Sequence, residues 1–403
     1  MADAVVDTVS SVPVAVVGAG PAGLMLAHRL GRAGIDTIVV DTRTRREIET
    51  TQRAGILEAD AARDLVDTGV SDRILREGDE HEGTELRFGG RAHRIPFKEL
   101  VGESVWLYPQ TDVFIDLADA RDRDGGTVHF GVRDTEVLDV TTRAPRVRYT
   151  APDGSRHEIR ARYVVGADGS RSTCRNLVPE DRRVRYGKEY PYAWFGILAE
   201  APKSAPELVY AHSEHGFALI SQRSESVQRM YFQCSPDEDV DAWSDDRVWE
   251  TLQARVAGED GFRLNEGPIT EKTVLRFRSF VQEPMRWGSL VLAGDAAHTV
   301  PPTGARGLNL ALHDVKVLAE LLLRALGGAG DSALDDYQPR ALQRVWRAQN
   351  FSHWMTQLLH TAPGGSPFDL RRQLGELDNA VSTRSGRTYL AEQYTGWPDS
   401  SRG

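Results

Sequence analysis

The stretch FALISQRS at 217–224 combines an apolar stripe with one cation and one hydroxyl. Side chains alternate in an extended strand, so Ser221 and Arg223 project to the same side. Phe217 and Leu219 continue that side as an apolar surface. A guanidinium and a hydroxyl together can hold the carboxylate of a flat molecule. The stretch indicates either a solvated arginine beside a core strand or the floor of a pocket for an apolar acid.

A glycine-rich turn near the N-terminus is typical of dinucleotide binding. The apolar run 14–17 is followed by a GxGxxG turn, a helical pattern and a second apolar run that ends at Asp41. Glycines in such a turn let the backbone approach a pyrophosphate at a helix N-terminus, and the terminal acid can bind a ribose. The three glycines, Gly18, Gly20 and Gly23, therefore predict a dinucleotide site, although this stretch alone does not separate FAD from NAD.

Two later segments each place an aspartate directly after a predicted buried strand. Asp168 follows the run 163–165, and Asp295 follows the run 290–292. Open α/β sheets bind ligands at the carboxyl ends of their strands, so both acids are expected at the same edge as the glycine turn. Each aspartate alone could be a turn residue that caps a helix. Together with the first motif, the two segments favour FAD.

A loop with the sequence PPTGARGLN precedes a helix predicted from about 308 to 326. Gly307, Leu308 and Asn309 stand at the start of that helix. The positive end of the helix dipole and the loop amides could stabilise negative charge on a reduced flavin ring. The loop is therefore a candidate cofactor contact.

The composition limits the class of protein. A chain of 403 residues with 40% hydrophobic content predicts a globular protein of two or three lobes, and its net charge of −10 argues against nucleic acid or an anionic membrane as a partner. Cys174 and Cys234 form no CxxC or Cys/His cluster, so no metal site is expected. The acidic start is not typical of a signal peptide, and glycines and prolines interrupt the apolar stretch 12–30. We expect a cytoplasmic protein with no membrane span, in which residues 1 to about 11 are a loose tail.

From Val14 to Pro398 the sequence resembles the single-component FAD-dependent aromatic hydroxylases, in particular the branch that acts on 4-hydroxybenzoate. The resemblance implies an α/β fold, with an FAD-binding Rossmann-like domain that carries GxGxxG, DG and GD motifs. It further implies an inserted mixed β-sheet substrate domain and a C-terminal helical region. The fragments that carry the likeness, in order along the chain, are RAGILE, HEGTELRF, YPQTD, YPYAWFGILAEAP, ELVYAH, GFALISQRS, AGDAAHTVPPTGARGLNLA and AEQYTGWP.

The resemblance also implies an activity. The expected enzyme is a flavoprotein monooxygenase that uses FAD, NADH or NADPH, and O2. It would hydroxylate 4-hydroxybenzoate at the 3-position through a flavin C4a-hydroperoxide and release 3,4-dihydroxybenzoate. A homodimer is expected. One alternative is a sister hydroxylase acting on 4-aminobenzoate or a substituted hydroxybenzoate; an NAD-dependent dehydrogenase and a non-catalytic flavin-binding regulator are the others.

The resemblance assigns roles to individual residues on the substrate side. One set matches the residues that hold the benzoate carboxylate, and the other matches those that serve the phenol. Read without the resemblance, any of them could be an ordinary strand, loop or surface residue. The carboxylate set is Ser221, Arg223 and Tyr231, and the phenol set is Tyr210, Tyr394, the Pro302 carbonyl and His81, the last at the far end of a proton relay to solvent.

Cofactor contacts are likewise implied by the resemblance. The GxGxxG motif matches the part of the family that binds the ADP moiety of FAD. Asp168 matches a residue tied to both FAD and the nicotinamide cofactor, and Asp295 one that meets the ribityl and pyrophosphate groups. Arg306 stands where the family often has a lysine near the flavin. Further matches are Arg53 and Gln110 to flavin contacts, and Arg175 and Arg278 to nicotinamide contacts.

Three regions are predicted along the chain. Residues 10–80, 105–185 and 285–325 are expected to build the FAD-binding domain discontinuously. Residues 81–104 and 186–284 are expected to form the substrate-binding β-sheet domain, with a hairpin at Gly89-Gly90. Residues 326–403 are predicted to be a helical region that contributes to a dimer interface.

The segment after the second strand bears on the choice of nicotinamide cofactor. In the resembling family, strict users of NADPH carry an arginine, a tyrosine and an arginine at the positions where this chain has Thr42, Glu47 and Thr51. A carboxylate at 47 should disfavour the 2′-phosphate of NADPH. We predict that NADH works at least as well as NADPH. The alternative is that nearby arginines meet the phosphate, namely Arg43, Arg45 or Arg46.

Overall fold

The computed structural model describes residues 6–51 and 55–397 of the chain. Most of its strands fall into two large sheets, and two smaller sheets of three strands join them. The strands are β1 Thr8–Val17, β2 Thr37–Asp41, β3 Ile56–Glu58, β4 Asp79–His81, β5 Gly83–Phe88, β6 Arg91–Pro96, β7 Val105–Leu107, β8 Thr127–Phe130, β9 Arg133–Leu138, β10 Arg146–Thr150, β11 Arg156–Gly166, β12 Val184–Glu189, β13 Ala193–Ala199, β14 Val209–Ser213, β15 Gly216–Ser224, β16 Val227–Cys234, β17 Ile269–Leu275, β18 Arg278–Glu283, β19 Arg286–Trp287, β20 Leu290–Leu292 and β21 His298–Thr299.

Helices cover the sheets and make up most of the C-terminal part. None of the helices within the described residues is long and apolar enough to cross a membrane. The α-helices are α1 Pro21–Arg32, α2 Arg45–Thr50, α3 Ala59–Asp67, α4 Ile74–Glu77, α5 Phe97–Val101, α6 Gln110–Arg123, α7 Asp245–Val256, α8 Gly307–Arg324, α9 Tyr337–Leu359, α10 Pro367–Ser382 and α11 Arg384–Thr395.

The first large sheet carries the glycine turn and both aspartate motifs. Its strands run in the order β19-β20-β11-β1-β2-β8, and β1, β2, β11 and β20 are parallel. The last four residues of β1, Val14–Val17, and the whole of β2 are buried, as central parallel strands are when both faces are covered. Their carboxyl ends meet at one edge, where Ala167 N donates to Val17 O at 2.7 Å. The prediction that both aspartate motifs follow strands ending at the same sheet edge as the glycine turn is confirmed.

Two glycines of the first turn are required by close packing. Gly18 has φ +108°, and a Cβ there would lie 2.2 Å from Ala167 O. A Cβ at Gly23 would lie 1.9 Å from Gly18 O. Pro21 begins α1, a position where its missing N–H is of no consequence. The strand, turn and helix therefore fit together only with this residue pattern.

The predicted loose tail is wrong for its last residues. Strand β1 begins at Thr8, whose pairing partner in parallel register is His157. Strand β11 begins at Arg156, and its first residues pair with the N-terminal segment on one side and with β10 on the other. The exposed, polar character of Thr8–Ser11 reflects the rim of the sheet, because backbone pairing does not require apolar side chains there.

The second large sheet runs in the order β17-β13-β16-β15-β14-β5-β6. Neighbouring strands are antiparallel except for β14 and β5. The predicted hairpin is confirmed: β5 and β6 are joined by Gly89 and Gly90, both at positive φ. Helix α7 packs on one face of this sheet, with Val248 and Leu252 buried against it.

The opposite face of the second sheet packs against the C-terminal helices. Phe351 and Met355 of α9 and Leu390 of α11 join the buried residues of β14 and β15 in one apolar cluster. The proposed substrate-side residues lie in or beside this cluster. The strands thus fall in the regions expected for the two sheets, while the division of the chain into three domains stays a prediction.

Candidate active site

Two tyrosines from distant parts of the chain meet in the interior. The hydroxyls of Tyr210 on β14 and Tyr394 on α11 are 2.7 Å apart, and Tyr210 donates to Thr303 O at 3.3 Å. The residues are 1% and 2% exposed. Burial raises the pKa of Tyr210 well above its ordinary value and that of Tyr394 to about 12. Both phenols are therefore neutral at physiological pH and can pass a proton without adding a charge.

Aromatic packing fixes the second tyrosine. Phe97 stacks on Tyr394 with ring centroids 5.0 Å apart, and Phe351 meets it edge-on at 6.3 Å. Leu390 and Ala391 bury the same face of α11. Tyr394 lies near the C-terminus, where an idle surface tyrosine would be common, but it is part of the core.

A short turn at Pro302–Gly304 faces the tyrosine pair. The Pro302 carbonyl accepts a hydrogen bond from Ala305 N at 2.9 Å, while the Thr303 carbonyl accepts the Tyr210 hydroxyl. Ala305 adopts φ +51°, a left-handed conformation that turns the chain into α8. The turn thus directs the Thr303 carbonyl, the neighbour of the predicted Pro302 carbonyl, toward Tyr210. Each carbonyl oxygen has a second lone pair, so it can accept a hydrogen bond from another donor.

Two arginines lie at the other end of this region. Arg223 donates to Thr111 Oγ1 at 2.9 Å, and the Arg229 guanidinium lies 5.2 Å from the Tyr231 ring centroid. Burial, and then the charge of Arg229, lower the pKa of Arg223. Arg229 Nη1 is buried and has no hydrogen-bond partner among the described residues. Because two cations are close together here, an anion would be stabilised between them.

The strand register explains how these side chains meet. Ser221 lies opposite Arg229 in the β15–β16 pair, and its hydroxyl donates to Arg229 O at 2.7 Å. Leu219 lies opposite Tyr231 two residues earlier, on the same side of the sheet. Sequence reasoning missed Arg229, although the alternation Arg229-x-Tyr231 is the signal that could have found it.

Gly196 was also missed. A Cβ at Gly196 would lie 2.8 Å from Cε1 of Tyr231 and 3.1 Å from Thr273 Oγ1. The Tyr231 ring also contacts Trp194, with ring centroids 5.0 Å apart. The tyrosine thus packs against a tryptophan and against a backbone position where a side chain would displace the ring. Only the register of β13 against β16 shows this, so no local sequence pattern would reveal it.

His81 lies beside the arginine-bearing strand rather than at the surface. The residue is 1% exposed, and its Nε2 accepts from Gln222 Nε2 at 2.9 Å. Asp79 Oδ2 is 3.5 Å away and binds Lys203. Burial lowers the pKa of His81, although Asp79 opposes this. The ring proton is left on Nδ1, which finds no partner within the described residues, and no hydrogen bond joins His81 to the tyrosine pair there.

The carboxyl edge of the first sheet offers groups suited to a dinucleotide. Asp41 Oδ2 accepts from Ala19 N at 2.8 Å and Arg43 Nη2 at 3.1 Å. Asp168 Oδ2 accepts from Thr173 N at 2.8 Å and Cys174 N at 3.0 Å. The other oxygen, Asp168 Oδ1, is buried and has no partner in the described part of the chain. A ligand donor would satisfy it.

The start of α8 completes this edge. Asn309 ties the helix to β3, since its Nδ2 donates to Ile56 O at 2.9 Å and its Oδ1 accepts from Glu58 N at 2.9 Å. A Cβ on Gly307 would meet nothing within 4 Å, so there is open space beside it. Leu308 is half-buried, as is Gln110 at the start of α6. Arg53 lies outside the described residues.

Arg306 immediately precedes α8 and is 1% exposed. It forms a buried ion pair with Glu58, which Arg344 also contacts. Its Nε and Nη2 have no partners within residues 6–51 and 55–397. Burial lowers the pKa of Arg306, whereas Glu58 raises it. The cation adds to the positive end of the helix dipole at this edge.

Arg175 and Arg278 lie on a shared aromatic ring. Their guanidinium carbons are 4.8 and 5.7 Å from the Phe280 ring centroid. Arg175 Nη2 bridges the two aspartate turns, donating to Gly169 O at 2.8 Å and Asp295 O at 3.1 Å. Arg278 is exposed and donates to Ser170 O at 3.3 Å. Arg175 is therefore a buried tether between the motifs, and Arg278 the more accessible cation.

Comparison with known proteins decides the family. Residues 11–352 match a family described as an FAD binding domain. The p-hydroxybenzoate hydroxylase of Acinetobacter baylyi is 41% identical over 386 residues, which cover 96% of this chain and 95% of that protein. The chain belongs to the FAD-dependent aromatic hydroxylases. It is thus an FAD-dependent aromatic monooxygenase with NAD(P)H as co-substrate, and the dehydrogenase alternative is excluded.

More distant relatives share the fold. A 3-(3-hydroxy-phenyl)propionate/3-hydroxycinnamic acid hydroxylase of Mycobacterium avium is 30% identical over 342 residues, 80% of this chain and 57% of that protein. The crystal structure of p-nitrophenol 4-monooxygenase PnpA of Pseudomonas putida superposes with a TM-score of 0.81 at 20% identity, covering 97% of this chain and all of that one. The fold expected from the motifs is confirmed.

Gly196→Ala should weaken binding of an aromatic acid because its Cβ would displace the Tyr231 ring. Overpacking of this kind costs about 1–3 kcal/mol, so the dissociation constant should rise roughly tenfold. Titration of flavin absorbance measures it. Gly187→Ala is the control, since a Cβ there would have only Ser279 O within 4 Å, at 3.9 Å. Equal affinity in the two variants would contradict the packing argument.

Proposed function

We propose that the enzyme hydroxylates 4-hydroxybenzoate at the 3-position and releases 3,4-dihydroxybenzoate. One observation carries the proposal: a buried pair of neutral tyrosines and a pair of neighbouring arginines border the same apolar face of the second sheet. A flat acid with a phenol at its far end matches both groups. The identity to a p-hydroxybenzoate hydroxylase over nearly the whole chain supports the same substrate.

The arginine end holds the carboxylate in this proposal. Arg223 offers a planar pair of donors, and the Tyr231 hydroxyl can add a single hydrogen bond. Ser221 can add another by turning its hydroxyl proton from Arg229 O to the carboxylate. Arg229 supplies a second positive charge nearby. Apolar packing by Leu219 holds the ring between the two ends.

The tyrosine end activates the phenol. Tyr210 would turn its hydroxyl proton from Thr303 O to Tyr394 and accept the substrate proton, while Tyr394 releases its own proton onward, so no carboxylate has to stand beside the ring. The Pro302 carbonyl orients the hydroxyl, and His81 receives the proton at the end of the relay through an intervening water. A phenolate makes the neighbouring ring carbon electron-rich, and that carbon is the 3-position.

FAD held by this chain would take electrons from NAD(P)H and would supply an activated oxygen atom to the ring. The chain fits FAD because a Cβ at Gly20 would meet nothing within 4 Å, which leaves room for a ligand beside the turn, and Asp168 keeps a buried acceptor without a partner in the described part of the chain. Nicotinamide binding is assigned to Arg175 and Arg278. The residues proposed to hold FAD are Gly18, Gly20, Gly23, Asp41, Arg53, Gln110, Asp168, Asp295, Gly307, Leu308 and Asn309.

We also propose a homodimer in the cytoplasm, where NAD(P)H is available. The C-terminal helices present Phe368, which is 74% exposed, and Tyr389, which is 43% exposed, and burial of such side chains would favour association. Residues 326–403 would then be an interface region beside the FAD-binding and substrate-binding domains. Light scattering on the purified enzyme gives the mass that tests this assembly.

The deciding experiment is turnover with 4-hydroxybenzoate, with NAD(P)H oxidation and O2 uptake followed and the product identified by mass spectrometry. A panel with 4-aminobenzoate and substituted hydroxybenzoates separates the sister-hydroxylase alternative, since neutral tyrosines could also hydrogen-bond an amine. Oxidation of NAD(P)H that no aromatic acid stimulates would refute the proposal.

Arg223→Lys should weaken substrate binding, because a point charge replaces a planar pair of donors. The expected loss is about 2 kcal/mol, or about thirtyfold in the dissociation constant from flavin absorbance titration. Arg276→Lys is the control, as that arginine binds Pro236 O and Asp237 at the surface. Unchanged affinity in Arg223→Lys would show that the carboxylate binds elsewhere.

Tyr210→Phe should still bind substrate and permit flavin reduction, but it should release mostly hydrogen peroxide because the phenol stays protonated. The measurement is dihydroxy product formed per NAD(P)H consumed. Tyr389→Phe, which alters an exposed tyrosine on α11, should keep the wild-type ratio. Full coupling in Tyr210→Phe would remove this residue from the relay.

NADH should serve at least as well as NADPH. Glu47 accepts hydrogen bonds from Thr44 N at 2.6 Å and from Thr44 Oγ1 at 2.8 Å in a capping box. These hydrogen bonds lower the pKa of Glu47, so the segment after the second strand carries a fixed negative charge. Arg43 is occupied by Asp41, and Arg45 by three carboxylates. The test is kcat/KM for both cofactors at saturating substrate. A tenfold preference for NADPH, which corresponds to about 1.4 kcal/mol of transition-state stabilisation, would mean that Arg46 or a neighbouring arginine determines the choice of cofactor.

A further inference from the structure

A continuous set of buried hydrogen bonds runs behind the proposed substrate cavity. Trp194 Nε1 donates to His360 Nε2 at 2.7 Å, and His360 Nδ1 is 2.9 Å from Thr356 O. Thr356 Oγ1 is 2.9 Å from Thr303 Oγ1, and the Thr303 carbonyl accepts the Tyr210 hydroxyl. All five residues are 0–2% exposed. These hydrogen bonds link Trp194, at the carboxylate end of the proposed cavity, to the tyrosine pair.

Chemistry fixes the direction of each hydrogen bond. An indole N–H can only donate, so His360 Nε2 is an unprotonated acceptor and Nδ1 carries the proton that goes to Thr356 O. Burial lowers the pKa of His360 to about 3, which keeps the ring neutral at working pH. Thr356 gives its single hydroxyl proton to Ser352 O at 2.6 Å, so Thr303 is the donor between the two threonines.

The end of α9 that carries these residues is held rigidly on the sheet. His212 Nδ1 on β14 donates to Leu359 O at 3.0 Å, and Gln233 Nε2 on β16 donates to Thr361 O at 2.6 Å. Gln373 Nε2 on α10 lies 2.9 Å from both Leu358 O and His360 O. The carbonyls that a helix end leaves without partners are thereby satisfied by three separate elements.

Each end of the set touches a residue with a proposed role. Trp194 packs on Tyr231 at 5.0 Å, and His360 stacks on Phe217 at 4.3 Å, in the wall of the cavity. At the other end Thr303 supplies the carbonyl that receives the Tyr210 hydroxyl. Tyr210 and Tyr231 already lie in one cross-strand row, since Leu219 pairs with both, and the buried hydrogen bonds add a second link that includes the turn before α8.

We propose that Thr356 and His360 are positioning residues that keep the phenol end and the carboxylate end of the substrate cavity in register. This inference rests on the proposed function of the same cavity. Thr356 acts through Thr303 on Tyr210, and His360 acts through Trp194 on Tyr231. A displacement of about 1 Å at a reacting centre can lower a rate about a hundredfold, so small losses of register should appear as uncoupling.

The first test compares Thr356→Val with Thr356→Ser in the FAD-loaded enzyme. Valine keeps the shape but removes the acceptor for Thr303, so product formed per NAD(P)H should fall about threefold or more, with FAD content unchanged. Serine should restore the ratio. The apparent pKa of the bound phenol, from its absorbance change on ionisation, should rise in the valine variant alone. Thr68→Val controls for loss of a hydroxyl, because Thr68 donates only to Asp64 O of its own helix region.

The second test compares His360→Phe with His360→Gln. Phenylalanine keeps an aromatic ring but leaves the buried Trp194 N–H without an acceptor, whereas glutamine can return one. The dissociation constant for 4-hydroxybenzoate should rise about tenfold in the phenylalanine variant and recover in the glutamine variant. If Thr356→Val does not fold, the comparison of His360→Phe with His360→Gln tests the positioning proposal by itself.

The outcomes separate this inference from the proposed function. Wild-type enzyme that does not hydroxylate 4-hydroxybenzoate would refute the function; the variants are then compared on whichever aromatic acid of the panel is turned over, which judges the positioning role alone. Active wild-type enzyme with unchanged coupling, phenol pKa and affinity in all variants, and only a lower melting temperature, would mean that these residues serve stability and would overturn the inference.

Discussion

The hydrogen bond between Tyr210 and Tyr394 is the interaction on which the rest of the site depends. The two residues are separated by 184 positions, so the bond exists only when α11 has docked on β14. Both hydroxyls are buried, and burial raises the pKa of each phenol further above physiological pH. The C-terminal helices therefore do more than cover the second sheet. They supply Tyr394 and shield Tyr210 from solvent.

Charge is distributed to keep this path neutral. Positive charge is concentrated at Arg223 and Arg229 at one end, and at Arg306 beside α8, where Glu58 pairs with it. No carboxylate hydrogen-bonds to the tyrosine pair in the described ranges 6–51 and 55–397. A carboxylate there would compete for the substrate proton and repel a phenolate. The neutral pair instead lets the substrate become the only anion at that end.

The sequence was sufficient wherever a local pattern carries the constraint. Gly18 and Gly23 could be predicted because steric crowding in a turn leaves glycine as the usual choice, and Gly89-Gly90 because a tight hairpin needs two residues at positive φ. Arg229 has a local signal in its alternation with Tyr231, whereas Gly196 and His360 could not be predicted, since each acts through a neighbour brought close by strand register or helix docking. The N-terminal strand was missed for the same reason: its partner β11 is about 150 residues away.

The start of α8 shows how packing and electrostatics combine in one place. Arg306 is buried, shares Glu58 with Arg344, and keeps two nitrogen donors without partners in the described part of the chain. Burying a cation whose N–H donors lack partners costs free energy unless another group accepts those hydrogen bonds. The N-terminus of an 18-residue helix begins at the next residue and adds partial positive charge of its own. The protein thus keeps a positive field and open space at Gly307, and an anionic group bound there would relieve both the unmet donors and the field.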